Sequence, residues 1–206
     1  MSSNWWRRFM DIDRFKEILQ QEHTLPDDKW KGAVLFLVTS THVIFSKRAN
    51  TMPTHSGQIA FVGGHRLPHE KDPWITVLRE YTEETNLEST ELEFLGYLPV
   101  IMTARLQPIV PIMAKLKISL EDFFRDVKSN GEWDEILAYP WEELLKEEMW
   151  NFAWRHGYSR GAIHFHTIKG AKCFEKRPHS HLLWGATAGM VWDFLRLYFK
   201  HRPCAY

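Results

Sequence analysis

Gly63-Gly64-His65-Arg66, then Glu70, then Leu78-Arg79-Glu80-Tyr81-Thr82-Glu83-Glu84-Thr85-Asn86-Leu87 decide how this chain is read. A helix over about 74–86 turns by about 100° per residue. Glu80, Glu83 and Glu84 then share an arc of roughly a quarter turn, at the i, i+3, i+4 spacing that brings side chains together. Trp74, Val77, Leu78 and Tyr81 fall on the other side. A Glu-rich helix face is ordinarily just solvated. Three clustered carboxylates nevertheless repel one another unless a cation sits among them. A hard divalent ion is the natural candidate, and Mg²⁺ suits carboxylates together with retained waters and a substrate phosphate.

Working outward, 33–38 and 41–47 are apolar runs split by a short polar turn, which predicts a hairpin. Residues 58–61 predict a third strand that feeds the double glycine. Gly63 and Gly64 permit backbone angles closed to other residues and let the loop pass close to a ligand. Residues 92–98 and 109–118 read as further strands. The prolines of Gln107-Pro108-Ile109-Val110-Pro111 are expected at the edges of one of these strands, where a missing N–H is tolerated. Residues 121–130 read as a polar interval, and Pro140 pre-sets the first turn of a helix through Leu145. Ile163-His164-Phe165-His166 alternates as a strand does. With no third ligand at suitable spacing, its histidines read as strand surface rather than metal ligands, and so do His179 and His181. A closing helix runs to about Lys200 on the stripe Trp184, Ala188, Val191, Phe194/Leu195 and Tyr198.

At 206 residues the chain suits one domain with a real core. Lys+Arg and Asp+Glu balance at 26 each, so bulk charge argues for neither nucleic acid nor a membrane surface as partner. Ten tryptophans point to an aromatic-rich core or, less commonly, to an exposed aromatic surface for a partner. Cys173 and Cys204 match no metal-ligand spacing and make no disulfide framework. No apolar run reaches 18 residues and no secretory signal is evident, so a cytoplasmic location is expected. Residues 1–30 read as an N-terminal helical extension: Asp11 or Asp13 caps a helix striped by Ile12, Phe15, Ile18 and Leu19. Trp5-Trp6-Arg7-Arg8-Phe9 reads as an amphipathic start tucked against the main domain, 31–206.

Gly64-x5-Glu70 followed by Arg79-Glu80-x2-Glu83-Glu84 resembles the Nudix box, the metal-binding loop–helix of hydrolases acting on nucleoside diphosphates linked to another group. The interval between Glu70 and Arg79 is one residue longer than in the common box, and Asn86 stands where a glycine is usual. The longer interval and the run Thr76-Val77-Leu78-Arg79-Glu80 resemble the coenzyme A diphosphatase branch. So do Ile44-Phe45-Ser46-Lys47-Arg48-Ala49 and Gly57-Gln58-Ile59-Ala60-Phe61-Val62-Gly63-Gly64, with Pro53 in place of a second arginine and Val62 in place of a proline. Glu132-Trp133-Asp134-Glu135 is similar to the family's Glu-Val-x-Glu segment, a strand leading into the helix begun by Pro140.

The resemblance implies an α/β fold, an α/β/α sandwich around a mixed sheet, and attack of water on a diphosphate phosphorus. Glu80, Glu84 and Glu83 would hold Mg²⁺ (or Mn²⁺), and Arg79 would brace them through an acidic partner, Glu70 or Asp72. Glu83, Glu132 and Glu135 are the alternatives for general base. Arg48 would contact phosphate, its planar fork matching phosphate oxygens, with Gly63, Gly64, His65 and Arg66 close to the substrate. The implied substrate is a nucleotide-containing small molecule. Coenzyme A or its thioesters come first, ADP-ribose or a dinucleotide polyphosphate second, and a Nudix-like binding module without turnover is the non-enzymatic alternative. A homodimer is compatible with all of these.

Overall fold

The computed structural model describes residues 11–22, 29–103, 105–145, 150–154, 162–168, 172–173 and 181–200. The first half contains α1 (Ile12–Glu22), β1 (Gly32–Val38), β2 (His42–Arg48), β3 (Ile59–Ala60), β4 (Val62–His65) and α2 (Pro73–Thr85). Next come β5 (Leu92–Tyr97), β6 (Ile101–Met102), β7 (Pro108–Leu116), α3 (Leu120–Asp126), β8 (Trp133–Pro140) and α4 (Trp141–Leu144). The last are β9 (Asn151–Trp154), β10 (Ala162–Ile168), β11 (Lys172–Cys173), β12 (His181–Leu183) and α5 (Gly185–Lys200).

The near-continuous apolar run Gly-Ala-Val-Leu-Phe-Leu-Val makes β1 a central strand, covered on both faces. It forms the expected hairpin with β2 and lies antiparallel to β4 and parallel to β7. The main sheet runs β11-β8-β2-β1-β7-β5, with β3, β4 and β6 attached to β2, β1 and β7. A separate three-stranded sheet is ordered β12-β10-β9.

Alternation along the strands splits the core in two. On one face Phe36, Val38, Phe45, Leu137 and Tyr139 pack with α1 and α5. On the other, Ala33, Leu35, Leu37, Ile44 and Ile136 pack with Val77 and Tyr81 of α2 and Phe123 of α3. The result is the sandwich expected of the fold. Helix α1 buries Ile12, Phe15, Ile18 and Leu19, and Asp11 Oδ1 accepts the Asp13 N–H at its start. Phe15 meets the rings of Trp141, Phe194 and Tyr198 edge-on, with centroids 5.6, 4.9 and 5.2 Å away. Helix α1 is therefore part of one of the two cores. Residues 5–9 and His179 lie outside the described residues.

Two expectations need correction. The interval 121–130 is helical as far as Asp126, being largely α3, begun by Ser119, whose Oγ accepts the Asp122 N–H at 3.0 Å. With Phe123 its single buried residue, this short helix has almost no apolar periodicity to read. Pro108 opens β7 as expected, but Pro111 lies inside the strand, which is flanked by β1 and β5. Its carbonyl accepts the Leu98 N–H at 2.9 Å. Since N and O of a strand residue point the same way, its missing donor faces the gap between β5 and β6, where no ladder bond is lost.

Candidate active site

The site is assembled where β4 hands the chain to α2. Gly63 (φ +148°) pairs with Val34, so close that a Cβ there would strike the Ala33 carbonyl and the Val34 Cα. A Cβ on Gly64 would run into the Glu80 carboxylate. The double glycine is thus what allows a helix carboxylate to lie directly on the loop backbone.

Asp72 starts α2 by accepting the Trp74 N–H at 2.8 Å, with Pro73 at the first helical position. At the other end Asn86 adopts the left-handed conformation (φ 58°) and its N–H caps the Thr82 carbonyl. Asparagine tolerates this conformation better than other non-glycine residues. The departure from the usual glycine therefore preserves the backbone geometry.

Arg79 is the hub of the site. Its Nε donates to Glu70 Oε1 at 2.9 Å, its Nη1 to Glu80 Oε1 at 2.9 Å and Glu83 Oε2 at 3.0 Å, and its Nη2 to the His65 carbonyl at 3.0 Å. Of the two acids the sequence left open, Glu70 is the partner. Asp72 is taken up by the helix cap and by the Tyr97 hydroxyl, 2.9 Å away. Glu70 is 1% exposed and also accepts from Thr76 Oγ1 at 2.6 Å and the Leu67 N–H at 2.8 Å. Burial alone would raise its pKa, but the Arg79, Thr76 and Leu67 donors outweigh it and hold the carboxyl below its usual range.

Glu84 is in the opposite condition. It is 4% exposed and accepts the Gly63 N–H at 2.9 Å. Burial, reinforced by the charges of Glu132 and Glu80, pushes it up to about 8 against the pull of Gly63 and Arg48. Burial also raises Glu80, aided by Glu83 and Glu132 and opposed by Arg79. Glu83 is 54% exposed at its side chain, and its Oε2 accepts from Arg79 Nη1. Ionising Glu80 and Glu84 together is therefore opposed, since Arg79 already gives one arm of its fork to Glu70.

The other anticipated residues divide. Arg48 stands on the α2 side, close enough to lower Glu84, and its buried Nε has no hydrogen-bond partner among the described residues. Glu132 reaches Glu80 and Glu84 electrostatically. Glu135 does not join them: it pairs with Lys47 across the β2–β8 ladder, with Lys47 Nζ 2.5 Å and His181 Nε2 3.2 Å from its oxygens. Lys47 and Glu135 alternate onto the α1/α5 side of the sheet. His181 is accordingly buried against a carboxylate rather than spread on an exposed strand surface. Arg66 Cζ lies 4.3 Å over the Trp30 ring and its Nε donates to the Glu70 carbonyl at 2.8 Å, so it braces the loop. His65 contributes its carbonyl to Arg79, and its side chain is exposed. One contact had no sequence signal: the Trp133 indole N–H donates to the Glu84 backbone carbonyl at 2.8 Å.

Among the described residues, no three His, Cys, Asp or Glu side chains stand close enough to form a ready-made ligand set. The chemistry of the donors nonetheless fits a hard cation. Glu80 and Glu84 each use Oε1 within the protein, and their Oε2 atoms accept no hydrogen bond from a described residue. Burial and mutual repulsion hold both carboxylates above their usual range, and a divalent ion would relieve both effects.

The NUDIX domain family model matches residues 29–156, which contain the double glycine, Glu70, Arg79 and the glutamates of α2. The chain belongs to the Nudix family. It is 28% identical over 164 residues to Nudix hydrolase 22, chloroplastic, of Arabidopsis thaliana, covering 78% of this chain and 51% of that one. It is 30% identical over 134 residues to the human mitochondrial coenzyme A diphosphatase NUDT8, covering 65% and 52%. The chain thus spans about half the length of each of these relatives. A crystal structure of a Nudix hydrolase from M. smegmatis, RenU, superposes with a TM-score of 0.53 at 14% identity, covering 86% of this chain and 90% of that one, a likeness of fold alone. Among the described residues no helix is long and apolar enough to cross a membrane.

Proposed function

We propose that this Nudix chain is a Mg²⁺-dependent hydrolase of a diphosphate bridge, acting on coenzyme A or an acyl-CoA thioester to give 3′,5′-ADP and (acyl-)4′-phosphopantetheine. The observation that carries the reading is the pairing of an over-stabilised acid with under-neutralised ones. Glu70 locks Arg79, while Glu80 and Glu84 lie beneath Gly63-Gly64, where burial and their mutual proximity oppose ionising both at once. The substrate assignment is supported by Thr76-Val77-Leu78-Arg79-Glu80, by Arg48-Ala49 and by the human relative's name.

Glu80 and Glu84 would hold the cation, with Glu83 as the third carboxylate; Mn²⁺ has the same ligand preferences. When bound, the ion supplies charge neutralisation for the diphosphate and makes hydroxide available near neutral pH. Arg48, with its unpartnered Nε, binds a diphosphate oxygen through charge-assisted hydrogen bonds. The glycine pair lets the diphosphate approach the backbone. Water attacks phosphorus: an O–P bond forms, the bridging P–O bond breaks, and a carboxylate takes the water's proton. Glu83 and Glu132 remain the candidates for that proton transfer, supported by the exposure of Glu83 and by the charge of Glu132 felt at Glu84, whereas Glu135 is engaged on the other side of the sheet.

A substrate panel tests the reading: coenzyme A, ADP-ribose, a nucleoside triphosphate and a dinucleotide polyphosphate, each with Mg²⁺ and with chelator. Coenzyme A is expected to give the highest kcat/KM, abolished by chelation. Preference for ADP-ribose would overturn the substrate and leave the chemistry. Silence on all four, with binding retained, would make the chain a binding module.

A further inference from the structure

The β2–β8 ladder pairs Ser46 with Ile136 and Lys47 with Glu135, and then shifts register so that Arg48 faces Trp133. Asp134, which regular alternation would set opposite Arg48 on the α2 face, is the extra residue of a β-bulge. The skip puts an indole where a further carboxylate would have stood beside Glu80, Glu84 and Glu132. Trp133 is 7% exposed, packs in the α2-side core and donates to the Glu84 carbonyl at 2.8 Å. The bulge is fixed from both sides. Asp134 Oδ2 accepts both the backbone N–H and the side-chain Nδ2 of Asn50, each at 3.0 Å, and the Lys47–Glu135 pair holds the preceding rung. One residue further, the Glu132 carbonyl accepts the Ala49 N–H at 2.9 Å, so the latch also fixes where Glu132 enters the site.

We infer that Asp134 is a positioning residue for the metal site: latched to Asn50, it maintains the bulge that turns Trp133 onto the last turn of α2 and holds Glu84 and Glu132 in place. Asp134 is exposed and touches no reacting atom. It acts through Trp133 and the backbone, as outer-shell partners of metal ligands do. The inference rests on the proposed function only in taking Glu84 as a cation ligand.

The test is Mn²⁺ binding by titration, alongside kcat and KM with coenzyme A, for the full chain and for Asp134→Ala, Asp134→Asn and Trp133→Phe. Asp134→Ala is expected to weaken Mn²⁺ binding by about tenfold and to lower kcat more than it raises KM. Asp134→Asn keeps an oxygen for both Asn50 donors and is expected to restore both to within about twofold. Trp133→Phe keeps most of the ring and removes the N–H, and is expected to weaken Mn²⁺ binding about as much as Asp134→Ala. Unchanged Mn²⁺ affinity in folded Asp134→Ala and Trp133→Phe would overturn the inference while leaving the proposed function intact. If the unaltered chain bound no Mn²⁺ and turned over nothing, the reading of the site would fall first and the inference with it.

Discussion

Two glutamates on neighbouring strands and helices, Glu135 and Glu84, are treated in opposite ways. Glu135, on the α1/α5 side of the sheet, has Lys47 and His181 beside it, so its charge is answered locally. Glu84, on the α2 side, is nearly inaccessible, has one backbone N–H, and faces Glu80 and Glu132, each of whose charges outweighs the pull of Arg48. A carboxylate closed off by cations stabilises a fold, whereas one buried among other carboxylates awaits a charge that the chain does not supply. Residue type does not separate the two, because both are glutamates in or beside the recognised motifs. Their neighbours do.

The largest expected effect breaks this contrast if it is wrong. Glu84→Gln or Glu80→Gln should lower kcat by about 10³-fold or more with the fold intact, while Glu135→Gln should leave kcat within about threefold. Instead it should lower stability by about 1–3 kcal/mol, because Lys47 loses its charged partner. Steady-state kinetics and urea denaturation of all three variants decide the matter, and a silent Glu84→Gln would undo the site. Next comes the brace. Glu70→Gln should remove about 2–4 kcal/mol of stability, since it weakens the grip on Arg79 at a buried position, and should reduce kcat at least tenfold.

The pH dependence sharpens the same contrast. Glu84 has its folded pKa raised from 4.5 to about 8, so it contributes stability at acid pH that is lost as pH rises. Without divalent ions, stability should therefore fall between about pH 4.5 and 8, at up to roughly 1.4 kcal/mol per pH unit. Mg²⁺ binding must displace that proton, so affinity should climb across the same window and level off above it. Glu84→Gln should flatten both curves, which thermal melts and isothermal titration across pH would reveal. The smallest effect concerns the cap: Asn86→Ala should cost about 1 kcal/mol, because alanine resists the left-handed conformation, and Asn86→Gly should be near neutral. Chemical denaturation measures both.

Most of the fold could be read from periodicity. The hairpin, the glycine loop, α2 and α5 announce themselves through apolar runs or stripes, and the carboxylate face of α2 follows from its spacing. What escaped detection depends on pairing between distant segments. Pro111 reads as a strand-end residue because the sequence does not disclose that β5 and β6 leave a gap beside it. The choice between Glu70 and Asp72 turned on which carboxylate was already bonded to a helix cap. Glu135 sits only two residues from Trp133, yet the register shift at Asp134 separates their roles, and no local pattern marks a bulge.

Phe15 and its three edge-on rings carry a practical consequence. The family match begins at residue 29 and stops at 156, whereas α1 and α5, which together seal one side of the sheet, lie beyond those limits. A fragment trimmed to the matched interval would leave Trp141, Phe36 and Phe45 without their lid. Such a fragment should aggregate rather than work as a minimal enzyme.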